Sequence, residues 1–125
     1  MFLLREGDIS WTPAVDMYEA EKQWLLFVEL PGVSSDDIDL IIFPESVLIR
    51  GIKTPPVKAL TAEKIEIYTG HFHREIHIPG RISITEVTAS LKNGVLSLIL
   101  TADEQTGVRS PVNKSGESIK IEKGD

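Results

Sequence analysis

The dipeptide Asn93-Gly94 stands between two apolar runs, Val87 to Leu91 and Val95 to Leu100. Asn-Gly accepts the left-handed backbone of a two-residue hairpin turn, so the two runs should pair as antiparallel strands. The same pattern recurs upstream. Residues 24–30, Trp-Leu-Leu-Phe-Val-Glu-Leu, form a β-rich run that stops at Pro31-Gly32, a strong turn signal. Ile38, Leu40 and Ile42 put one face of the next strand into apolar surroundings, after the polar cluster Ser34-Ser35-Asp36-Asp37. Pro44-Glu45-Ser46 turns the chain into Val47-Leu48-Ile49-Arg50, and so short a link calls for antiparallel pairing. Phe72 to Ile78 alternates until Pro79-Gly80 ends it. Helical periodicity is hard to find. Short strands at regular spacing, bounded by turn residues, suggest an all-β sandwich or barrel. The expected fold is an immunoglobulin-like antiparallel β-sandwich of about seven to nine strands. Its core should hold Trp24 or Leu26, with Val28, Leu30, Ile38, Leu40, Ile42, Phe72, Ile78, Leu96 and Leu98.

Two stretches break the pattern. Pro55-Pro56 offers no N–H to a ladder, so residues 53–64 are expected to form a long loop, with Ile65 and Ile67 as one short strand near its end. Residues 103–118 are rich in Ser, Gly, Asp, Glu, Asn and Lys without apolar period, which reads as a flexible linker. It ends in Ile119-Lys120-Ile121, an isolated apolar pair on alternate positions. The expected organisation is a short arm at 1–10, one sandwich domain at 11–102 and a tail at 103–125.

Composition narrows the function. A chain of 125 residues argues for one domain. It holds no cysteine, which removes disulfides, thiolate metal sites and cysteine nucleophiles, and suits a reducing compartment. A net charge of -6 and a pI near 5.0 argue against nucleic acid and against an anionic membrane surface as partners. The N-terminal Met1-Phe2-Leu3-Leu4-Arg5-Glu6 is too short in its apolar part for a secretory signal, and no run of about 18 apolar residues spans a bilayer. The expected location is the cytoplasm, where the glycosylation sequon Asn113-Lys114-Ser115 is a chance match.

Six segments carry a resemblance, in order along the chain. They are Trp11-Thr12-Pro13-Ala14-Val15-Asp16; Val28-Glu29-Leu30-Pro31-Gly32-Val33 with Asp37-Ile38; Val47-Leu48-Ile49-Arg50-Gly51; Tyr68-Thr69-Gly70-His71-Phe72-His73-Arg74 with Ile78-Pro79; Ala89 with Asn93-Gly94-Val95-Leu96; and Ile119-Lys120-Ile121. Together they resemble the small heat-shock protein (alpha-crystallin) family, over nearly the whole chain. Two features depart from it. The family usually carries a longer variable arm before the first motif than residues 1–10, and Thr101-Ala102 replaces a Pro-Lys that often ends the last strand.

The resemblance implies an ATP-independent holdase that binds unfolding proteins and suppresses their aggregation. It implies a strand-exchanged dimer, in which the short strand at Ile65, Ile67 and Tyr68 adds to the partner's first strand at Ala14, Val15 and Met17. Arg74 interrupts the apolar face of its strand; read from the residues alone it is an edge arginine whose stem snorkels to water, whereas the resemblance implies intersubunit ion pairing. The resemblance also implies that Ile119 and Ile121 dock on a neighbour, in a groove between Leu40 and Ile42 on one strand and Val87, Ala89 and Leu91 on another. A linker of the length of residues 103–118 spans about 20–25 Å as a flexible coil, enough to reach an adjacent subunit. The competing reading is a CS-type sandwich co-chaperone that binds a dedicated folded partner; the Ile-x-Ile tail speaks against it.

The remaining candidates point away from catalysis. His71, His73 and His77 share one face of a strand, opposite Phe72, Ile76 and Ile78. Two histidines at i and i+2 can chelate zinc, but only Glu75 stands beside them, so a solvated polar face is the reading adopted and no metal or other cofactor is assigned. No nucleophile elbow, zinc-protease helix, P-loop or dinucleotide fingerprint occurs, so no enzyme activity is expected.

Overall fold

The alternating runs close into two stacked sheets in the computed structural model, which describes residues 11–104 and 116–123. The arm at 1–10, most of the expected linker and the Asn113 sequon lie outside the described residues. Among the described residues there are nine strands, one 3-10 turn at Ser35–Asp37 and no α-helix. The strands are β1 (Val15–Ala20), β2 (Gln23–Glu29), β3 (Ile38–Ile42), β4 (Ser46–Lys53), β5 (Gly70–His77), β6 (Ile82–Lys92), β7 (Val95–Ala102), β8 (Glu117–Ser118) and β9 (Glu122–Lys123). One sheet runs in the order β1-β2-β7-β6-β9, the other β5-β4-β3-β8. All neighbours are antiparallel except β6 and β9. The chain is an immunoglobulin-like antiparallel β-sandwich.

Local chemistry accounts for the turns. Asn93 and Gly94 have φ of 52° and 76°, the two positive values that a tight hairpin requires, and they leave Lys92 opposite Val95. Ser34 caps the 3-10 turn by accepting from the Asp36 amide, which aims the chain into β3. Phe43 N–H donates to Ser46 O at 2.9 Å, closing the link between β3 and β4.

The inner faces interlock with period two. Trp24, Leu26 and Val28 of β2 and Leu96, Leu98 and Leu100 of β7 face Ile38, Leu40 and Ile42 of β3, Val47 and Ile49 of β4, and Phe72 and Ile76 of β5. Every residue expected in the core is buried, and Trp24 and Leu26 both belong to it.

Two local expectations meet the structure differently. Ile65 and Ile67 lie outside the strands of one chain, and among the described residues no strand pairs with residues 54–69; the strand expected there is one that adds to a second copy. The strand expected from Val87 begins at Ile82, with an irregular register between Ile82 and Val87 where Thr85 and Glu86 are exposed. A bulge of this kind breaks alternation and so hides the strand's first half from a periodicity search.

Gly51 generates a test of this packing. It pairs with Ile38 on one side and Phe72 on the other, and an added Cβ would overlap the Asp37 carbonyl and lie 2.7 Å from the Phe72 ring. The expected outcome of Gly51→Ala is a loss of about 1–3 kcal/mol in urea unfolding at unchanged m-value. A midpoint equal to that of the parent chain would show that the sheets separate here without cost.

Candidate functional site

Two stacked sheets leave open edges, and this chain covers one pair of them with its own tail. β8 pairs antiparallel with β3 through Ile41 with Ser118 and Ile42 with Glu117. Ile119 N–H then donates to Leu40 O at 2.9 Å. The chain crosses to the other sheet, where β9 pairs parallel with β6 through Ser90 with Glu122 and Leu91 with Lys123. The tail is thus a strap that bridges both sheets.

The side chains follow the strap's alternation. Ile119 and Ile121 are half-buried against the core, while Ser118, Lys120 and Glu122 are exposed. Beneath them Leu40, Ile42 and Ala89 are buried, and Val87 and Leu91 are half-buried at the rim. The structure therefore brings Ile119 and Ile121 together with the strands that carry these five groove residues, within one chain. A cleft of about 530 Å³ remains between the strap, Ile38 and the Ser35–Asp36 turn. Its lining is mixed, with Asp36 and Glu122 set against Lys120.

Gly116 is a contact that sequence reasoning missed. An added Cβ there would overlap Ile41 Cγ2 and lie 2.9 and 3.0 Å from the Phe43 ring. It reads as one more linker glycine, because nothing local distinguishes it.

The residues named for a dimer interface lie elsewhere. Among the described residues β1 pairs only with β2, which leaves its second backbone edge without a strand partner there. Ala14 is exposed and Val15 half-buried. Met17 lies opposite Leu26, on the inward side of the sheet, yet is 41% exposed because the second sheet does not extend over it. The segment 54–69 is the most apolar exposed stretch. Of the nine exposed large apolar side chains among the described residues, Val57, Leu60, Ile65, Ile67 and Tyr68 all belong to it.

Arg74 is half-buried, opposite Ile49, and its Nη1 donates to Pro13 O at 3.4 Å. Ion pairs among the described residues are Lys22–Glu104, Arg50–Asp39 and Arg81–Asp103, so Arg74 is held by a backbone carbonyl rather than by a carboxylate. The Trp11 indole donates to Gly70 O at 3.2 Å and its ring packs on Phe72 at 5.0 Å, which ties the start of the domain to β5.

The histidines do not converge. His73 pairs across the strands with Arg50, a fixed cation that disfavours a metal ion, and His77 is exposed. Among the described residues no group of three His, Asp or Glu side chains is arranged to hold a metal. Among them, too, no helix is long and apolar enough to cross a membrane.

Comparisons with known proteins agree with this geometry. The model of the Hsp20/alpha crystallin family matches residues 16–122. Small heat shock protein C4 of Rickettsia felis is 37% identical over 97 residues, covering 76% of this chain and 60% of that protein. Spore protein SP21 of Stigmatella aurantiaca is 31% identical over 102 residues, covering 79% of this chain and 60% of its own length. The chain thus spans about 60% of these curated relatives. Among solved structures, a small heat-shock protein from Xylella fastidiosa is similar, with a TM-score of 0.68 and 30% identity over 83% of this chain and 98% of that one. Heat shock protein 16.0 from Schizosaccharomyces pombe gives a TM-score of 0.66 at 25% identity, over 82% of this chain and 96% of that one.

The strap can be tested directly. Replacing both Ile119 and Ile121 by glycine removes the two side chains that seat it on the core. Limited trypsin digestion should then cleave after Lys120 roughly 10-fold faster or more, while cleavage sites inside the sandwich keep their rates. Equal rates at Lys120 in both chains would mean that the isoleucines do not hold the strap.

Proposed function

Because the chain belongs to the Hsp20/alpha crystallin family, we propose that it is an ATP-independent holdase. It binds proteins as they unfold and keeps them from aggregating, with no chemical step. The observation that carries this reading is the strap itself: a short tail segment covers an apolar groove across two sheet edges. Two buried isoleucines contribute roughly 3–6 kcal/mol of gross burial at most. Chain ordering offsets much of it. Such a strap opens and recloses, and an open groove offers Leu40, Ile42, Val87, Ala89 and Leu91 to another extended apolar segment. Holding an unfolding chain lowers the free concentration of the species that aggregates.

Self-association follows the same logic. The open edge of β1 and the exposed segment 57–68 of a second copy supply what each other lacks, a partner strand and a cover for apolar side chains. We read Ala14, Val15, Met17, Ile65, Ile67 and Tyr68 as the two sides of a dimer interface, with Arg74 beside it. The tail, released from its own groove, then reaches a neighbour's groove and joins dimers into larger assemblies. The Xylella relative, whose structure is described as having a distinct high order structure, fits this reading. The partners are unfolding client proteins and other copies of the chain, not nucleic acid or membrane. The cysteine-free, acidic composition suits the cytoplasm.

Three outcomes are expected. The purified protein should suppress light scattering from a heat-unfolding enzyme such as citrate synthase with neither ATP nor a second chaperone present; undiminished scattering at a several-fold molar excess would remove the holdase reading. Deleting residues 54–66 should give monomers in sedimentation, and a persistent dimer would place the interface elsewhere. Replacing Ile119 and Ile121 by glycine should reduce any assembly larger than a dimer to dimers at matched concentration, and an unchanged mass would assign that assembly to another contact.

A further inference from the structure

Gly116 lies in a polar stretch where glycine is unremarkable, yet its surroundings leave no room for a side chain. An added Cβ would overlap the Cγ2 methyl of Ile41 and approach the Phe43 ring at 2.9 and 3.0 Å. Its φ lies outside the left-handed region, so backbone freedom is not the reason for glycine. The reason is space. Ile41 belongs to β3 and Phe43 follows it directly, so both belong to the edge on which the strap lies.

This contact lies just before the paired residues Glu117 with Ile42 and Ser118 with Ile41. Sliding the strap along β3 by one residue, so that Glu117 takes the place of Gly116, would bring a side chain into the space that Gly116 leaves and would turn Ile119 away from the core. Gly116 therefore holds the register that seats Ile119 and Ile121.

We infer that the groove recognises a segment of the form Gly-x-x-Ile-x-Ile, read by Ile41 and Phe43 at its glycine and by the apolar groove at its isoleucines. The segment that fits it is this chain's own residues 116–121, seated within the same copy. The inference rests on the groove being a docking site, as proposed above, and adds what it selects. An extended client segment with a side chain at the glycine position fits less well than the tail, so the tethered tail outcompetes most sequences and yields when the strap melts.

Propensity and sterics predict opposite signs, which makes the test sharp. Valine favours an extended strand and glycine weakens it, so Gly116→Val would strengthen the strap if only backbone preference counted. Under the inference it weakens it. The measurement is amide hydrogen exchange in the full-length chain, read at Ile119, whose N–H donates to Leu40 O, and at Leu98 in the core as a check of folding. Gly116→Val should speed exchange at Ile119 at least 10-fold and leave Leu98 unchanged, with Gly116→Ala between the two. Ser118→Val, which adds the same propensity at an exposed position, should slow Ile119 exchange or leave it unaltered. Protection at Ile119 that is equal or higher in Gly116→Val than in the parent overturns the inference and leaves the docking site standing. Exchange of Ile119 in the parent chain at the rate of an unstructured peptide would overturn both.

Discussion

Stacking two open sheets leaves four strand edges, each a row of amides and carbonyls that need partners. Most features of this chain outside its core are responses to that constraint. The edges of β3 and β6 lie under the strap, which bonds to both. The edge of β5 is met at its start by Trp11, whose backbone amide donates to His71 O and whose indole donates to Gly70 O. The edge of β1 has no strand partner among the described residues. The one segment rich in exposed apolar side chains is also the one without strand partners. An uncovered edge and an unpartnered apolar segment in one molecule are complementary, and a second copy can satisfy both at once.

The strap and the sandwich differ in how much holds them. The core places Phe72, Leu26, Leu40, Leu96 and their neighbours at near-zero exposure, and burial of each large side chain contributes on the order of 1.5–3 kcal/mol. The strap has two half-buried isoleucines and short ladders on each sheet. Ordering its residues costs about 1–2 kcal/mol each, which is of the same size as its gains. The groove can therefore open while the sheets remain intact. The proposed holdase reading calls for this separation, because a binding surface under the strap would have to appear while the scaffold stays folded.

What was legible in the sequence follows from the range of the forces involved. Alternation and turn chemistry act over a few residues, so the hairpin at Asn93-Gly94, the run at Trp24 to Leu30 and the strand of Ile38, Leu40 and Ile42 could all be read directly. The alpha-crystallin resemblance drew the same elements together and pointed to β3 and β6, the strands with which the strap pairs. Signals that depend on distant contacts were not legible. The bulge in β6 breaks alternation, so Ile82 to Glu86 did not read as strand. Ile65 and Ile67 have strand-forming side chains but no edge to pair with in their own chain. Gly116 looks like linker because the atoms that require a glycine belong to Ile41 and Phe43, far away in sequence. Arg74 read as an intersubunit arginine, and nothing local pointed to its backbone partner at Pro13.

The placement of the strap in its own groove bears on how assembly and client binding are linked. The end of β7 and the start of the strap lie near one another: Ala102 pairs with Ile82, Ile82 N–H donates to Pro44 O, and Gly116 packs on the adjoining Phe43. The linker therefore has little distance to cover, and the tail's effective concentration at its own groove is on the millimolar scale for a short flexible tether. On the proposed reading, a neighbour's groove competes only when a dimer or larger assembly brings it as close, and a client only when unfolding raises its local supply of extended apolar segments. The three proposed occupants differ in supply more than in chemistry, so the groove would respond to the concentration of unfolded protein without a dedicated sensor, and Gly116 would bias the contest toward the tail whenever that supply falls.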